Sequence, residues 1–134
     1  MSSTNAPLPS LPTELQMLAE QMVSDFCAVE REFSEVVDIC RIQSSLGRNA
    51  NPRVLSANTR RAKRIDIEWQ RLVRLLDLVA DELARLHVPE SSCIALRDIF
   101  AGHVHRIGTL NSEFLKSALT GRASVMSGTS GELG

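Results

Sequence analysis

The sequence predicts an all-α protein, an elongated antiparallel three-helix bundle with coiled-coil-like heptad packing and flexible N- and C-terminal arms. Two observations predict it. Apolar residues recur at steps of three and four along three stretches of about thirty residues each, the spacing of an amphipathic helix. Short connections holding Gly, Asn and Pro separate those stretches, and short connections impose antiparallel neighbours in up-down-up order. The chain of 134 residues is long enough for one core and too short for two. Its apolar fraction of 43% and charged fraction of 23% sit near the globular average.

The first twelve residues carry Pro7, Pro9 and Pro12 among Ser, Thr and Asn, and read as a flexible arm. Pro12 suits the first turn of a helix and Glu14 favours its positive end, so helix 1 starts there. Its seam runs Leu15, Leu18, Met22, Phe26, Val29, Phe33, Val36, Cys40, with a doubled step of four at Met22 that reads as a stutter. The helix is expected to last until Gly47. Residues 47–55, GRNANPRVL, read as the connection, with Ser56 or Asn58 capping helix 2. Helix 2 carries an unbroken heptad at Ala62, Ile65, Trp69, Leu72, Leu76, Val79, Leu83 and Leu86. Pro89 stops it and Ser91 or Ser92 caps helix 3, so helices 2 and 3 form a tight hairpin. Helix 3 follows Cys93, Leu96, Phe100, His103, Ile107, Leu110 and Phe114 to an end near Gly121. The expected division is therefore an arm at 1–12, a bundle at 13–120 and a Gly- and Ser-rich disordered tail at 121–134.

Charge is distributed unevenly. Between Glu14 and Asp38 seven acidic residues face one base, Arg31; from Ile39 to Ile65 seven bases follow with no acid. In the up-down-up arrangement this makes one pole of the bundle basic and the other acidic, beneath a net charge of −1. Arg53, Arg60, Arg61, Lys63 and Arg64 are the basic-pole candidates for binding a partner. Arg60 to Arg64 fall in the expected first turns of helix 2, where positive charge opposes the macrodipole and a binding role would explain the cost. Ile67, Leu78, Leu115 and Leu119 lie outside the seams and are the apolar candidates; scattered exposed Leu is ordinary, and only contiguity would mark an interface.

Catalytic chemistry finds little footing. Cys27, Cys40 and Cys93 show neither CxxC nor zinc-type spacing and read as reduced core thiols. His103 and His105 point to different helix faces and cannot share a metal, and His103 reads as a core or bundle-edge histidine. His87 and Cys93 flank the tight turn, but no third residue is placed to orient a thiolate–imidazole pair. No Gly-rich phosphate loop is present, so no catalytic residue, cofactor or metal is expected.

The sequence thus leads to a non-enzymatic helical interaction protein, an adaptor, assembly subunit or export-chaperone-like factor that docks a partner protein on its helical faces. A homo-oligomer is the other protein partner it admits. The alternative is a nucleic-acid-associated protein that meets phosphates through the basic pole around residues 41–64, although every aromatic residue belongs to a seam and none remains to stack on bases. No membrane span and no secretory leader are read from the sequence, and a cytoplasmic location is expected.

Overall fold

The computed structural model describes the backbone of residues 8–133 and the side chains of residues 8–119. Three α-helices follow one another: α1, Thr13–Ser45; α2, Pro52–Arg85; and α3, Glu90–Leu133, with a 3₁₀ turn at Gly47–Asn49 between the first two. α1 and α2 are antiparallel. α1 and α3 run parallel, so that Glu30 meets His103 and Ser44 meets Ser117 at the same sequence offset. The result is the up-down-up bundle the seams predict, and among the described residues no helix is long and apolar enough to cross a membrane.

α1 is the central element. Leu15, Ala19, Met22, Phe26, Val29, Phe33, Val36 and Cys40 are all buried along it. The seam uses Ala19, 2% exposed, and not Leu18, 38% exposed. With that exchange the steps alternate four and three throughout, so the stutter expected at Met22 is absent. The physical reason is space: a small side chain at position 19 lets a neighbouring helix approach closely, while Leu18 lies at the edge.

α2 begins at Pro52, earlier than expected. Asn51 caps it, its side-chain oxygen accepting from the Arg53 N–H at 2.9 Å, and Pro52 fills N1, where a missing N–H costs nothing. Asn58 is therefore no cap. It is a buried seam residue one heptad step before Ala62, and its amide donates to the Val36 carbonyl of α1 at 3.0 Å. A single buried Asn on a heptad seam fixes the register of its helix pair, here α1 with α2. The early start also moves Arg60 to Arg64 to the third and fourth turns, beyond the reach of the N-terminal dipole. The cost that would have spoken for a binding role there is removed.

α2 ends in a Schellman turn. Val88 N–H donates to Leu83 O at 3.1 Å and His87 N–H to Ala84 O at 3.2 Å, with His87 in the left-handed region at φ 52°. Val88 then packs against the core that holds Leu83. α3 starts directly after, with the Pro89 carbonyl accepting from Ser92 and Cys93, so neither Ser91 nor Ser92 is its cap.

The connection is short, yet α2 and α3 do not form a packed hairpin. Both lay their seams on α1 and meet each other only sparsely. Trp69, expected at the centre of the α2 seam, is consequently only partly buried.

At the ends, Leu8 and Leu11 pack against the core, so the part of the expected arm that is described is docked; residues 1–7 lie outside the described residues. α3 runs past Gly121, where its seam pattern stops. The segment holds Gly and Ser but no proline, and a helical glycine costs only about 1 kcal/mol. The side chains of the expected tail, 121–134, lie outside the described residues.

Candidate functional site

Because α2 and α3 diverge, the bundle has a groove on that side, at the basic pole. Its floor is Phe33 and Cys40 of α1, and its walls are Leu55 and Ala62 of α2 and Phe114 and Ala118 of α3. It encloses about 530 Å³, within the range of roughly 300–1,000 Å³ typical of ligand sites. Phe33 and Phe114 meet across the floor with ring centroids 6.3 Å apart. Ser44 ties α1 to α3 at the outer end through its hydroxyl, which donates to the Ser117 carbonyl at 3.3 Å. Polar groups in the lining are few. Asn58 lies there with its side-chain oxygen unpartnered, and Asp66 is the single acid lining the groove among the described residues.

Of the apolar residues singled out in the sequence, the structure brings together two. Leu115 and Leu119 both line the groove and are half exposed or more. Ile67 and Leu78 are exposed elsewhere on α2, about three turns or 16 Å apart, and form no patch with them. The sequence pattern does not single out Leu55, Phe114 and Ala118 as site residues. Phe114 falls on the seam, and the openness of its environment follows from a separation of α2 and α3 that no local pattern records.

The basic candidates divide as well. Arg61 is bound to Glu35 of α1. Arg53, Arg60, Lys63 and Arg64 are exposed and carry no ion pair among the described residues, and the last three outline a shallow depression with Ala57. Some of the charge asymmetry is thus spent inside the fold. Acids of α1 face bases of its neighbours, as in Asp25 with Arg71 at 3.9 Å, and Arg41 of α1 meets Glu113 of α3 at 3.1 Å. Such exposed pairs contribute little to stability, because solvent screens them. Arg71 beside Glu68 and Arg85 beside Glu82 hold those two carboxyls below their ordinary range, chiefly by hydrogen bonding to the charged form.

A second polar cluster, partly buried, lies between α1 and α3. His103 is fully buried, stacked on Phe26 with centroids 5.5 Å apart, and its Nδ1 lies 2.9 Å from a Glu30 carboxylate oxygen. Arg106 donates to the same oxygen through Nε at 3.0 Å. His103 is thus the core histidine its seam position predicts, but its partners were not foreseen. Its Nε2 is buried without a partner, and His103 lines neither the groove nor the depression beside Ala57. The cluster ties α1 to α3. Nor are His87 and Cys93 joined: the Cys93 thiol donates to the Val88 carbonyl at 3.6 Å. Burial pushes the thiols of Cys27 and Cys40 up, the reverse of what a nucleophile needs.

No known protein family matches the chain, and no curated protein or solved structure does either.

Proposed function

We propose that the protein is a non-enzymatic helical interaction protein and that it takes a helix of a partner protein into the groove between α2 and α3. The supporting observation is that these two helices both pack on α1 while meeting each other little, which leaves an apolar groove walled by Leu55, Ala62, Phe114, Leu115 and Leu119. A further helix laid there would complete a four-helix arrangement and bury the half-exposed leucines. Burial at about 25 cal/mol per Å² of apolar surface is the driving force such docking uses. Adaptor, assembly subunit and chaperone-like factor are all roles of this kind.

The test compares the protein with a variant whose groove is filled, Ala118→Trp. Species captured by each are identified, and the principal one is purified and titrated against both. The expected outcome is a named protein partner lost on filling the groove while helicity is retained. A purified partner that binds both forms equally would place docking elsewhere and overturn the assignment.

The unpaired bases Arg60, Lys63 and Arg64 favour a second reading, nucleic-acid association through the outer face of α2. Changing Arg60 and Arg64 to Gln, which leaves the groove-lining Lys63 and the Arg61–Glu35 pair in place, separates the two. Sub-micromolar duplex binding at physiological salt, abolished by this change with helicity intact, would establish that reading in place of the groove.

A further inference from the structure

The groove has a polarity that its apolar lining alone does not express. Lys63 stands on its α2 wall, Lys116 sits between the lining residues Leu115 and Ser117 on α3, and Arg48 sits between the lining residues Gly47 and Ala50. Arg53 and Arg60 extend the same end of α2. All five are exposed, and none makes an ion pair among the described residues. The other charges nearby are cancelled or outnumbered: Glu113 is paired with Arg41, Glu35 with Arg61, and Asp66 is the one acid on the lining. An apolar trough bordered by uncompensated cations complements one kind of helix.

We infer that the groove between α2 and α3 binds an acidic amphipathic helix of a partner protein, its apolar stripe against Phe114, Leu115 and Leu119 and its flanking carboxylates facing Lys63 and Lys116. This rests on the groove being the docking site and adds the chemistry of what docks. The α3 wall runs from Asn111 to Leu119, about 12 Å of helix at 1.5 Å per residue, so two turns of the partner make the described contacts. A partner helix with basic flanks would meet like charge at Lys63 on the α2 wall and at the exposed Lys116 beside the α3 wall, and like-charge juxtaposition is how interfaces reject wrong partners. Cations at the rim also steer association, which makes the on-rate fall as salt rises.

The experiment titrates the full-length protein with two synthetic helical peptides of identical apolar stripe, one flanked by Glu and one by Lys, followed by backbone amide shifts in NMR. At low ionic strength the Glu peptide is expected to bind at least tenfold more tightly than the Lys peptide. Shifts are expected at residues 55–66 and 111–119, and the preference is expected to shrink several-fold at high salt. Lys63→Glu with Lys116→Glu is expected to reverse the preference, and Ala118→Trp to remove binding of both peptides. Equal binding of the two peptides in the groove, or a preference untouched by the double reversal, overturns the acidic partner and leaves groove docking standing. If neither peptide shifts the groove residues, or if Ala118→Trp leaves binding unchanged, groove docking falls and this inference with it.

Discussion

Single residues show where this fold accepts a local cost. Trp69 occupies a heptad position, packs partly against the core, and keeps its indole N–H buried without an acceptor. An unmade hydrogen bond of that kind costs about 1–3 kcal/mol and offsets part of what the ring gains by burial. Trp69→Ala is therefore expected to destabilise by about 2–3 kcal/mol in urea unfolding, below the range of about 3–5 kcal/mol for a fully buried aromatic. Trp69→Phe, which removes the orphan donor and keeps most of the ring, is expected to stay within about 1 kcal/mol of the parent. Should the Phe variant lose as much as the Ala variant, the indole N–H has a partner and the cost assigned to it is wrong. Asn58 shows the same trade on the same seam: its amide is satisfied by Val36, its oxygen is not, and register is what the arrangement secures. His87 carries another cost, a non-glycine residue held at positive φ so that α2 can close its Schellman turn.

At the level of the helix, periodicity made most of the fold legible in the sequence. Steps of three and four are set by one helix alone, so three helices and their order followed from the chain. The choice between Leu18 and Ala19 is different in kind, because both fit a helical face and only the neighbouring helix decides which is inside. Composition favours Leu, and packing distance favours Ala. Leu18→Ala is thus expected to cost less than about 1 kcal/mol, whereas Ala19→Leu forces extra volume into the seam and is expected to cost about 1–3 kcal/mol. The opposite ranking would restore the stutter. Asn51-Pro52 has the composition of a loop although it is a cap followed by N1, since both roles use the same residues. For the site, Leu115 and Leu119 were legible as apolar residues off the seam. The groove itself was not, because its width depends on two helices failing to meet. The Glu30–Arg106 contact, between residues 76 apart in the chain, leaves no local trace in either helix.

On the scale of the molecule, the unequal packing implies unequal stability. α1 buries its seam against two helices, while α2 and α3 each have one extensive neighbour and border an open groove. α3 is held to α1 by the aromatic contacts of Phe26 and Phe33 and by the part-buried Glu30–His103–Arg106 cluster. α2 is held by its heptad and the Asn58 bond. The outer helices support each other little, so either can open locally while the remaining pair persists, whereas α1 loses its contacts only when both have left. Sub-global opening of this type is read directly by native-state hydrogen exchange, in which protection tracks the free energy of the smallest opening that frees an amide. The slowest exchange is expected in α1 between Met22 and Cys40, at the free energy of global unfolding. The amides of 55–66 and 111–119, which wall the groove, are expected to exchange through smaller openings, at rates at least tenfold faster, a gap of about 1.4 kcal/mol. Uniform protection across all three helices would mean that they unfold as one unit, and the picture of two helices held independently on a central third would then be wrong.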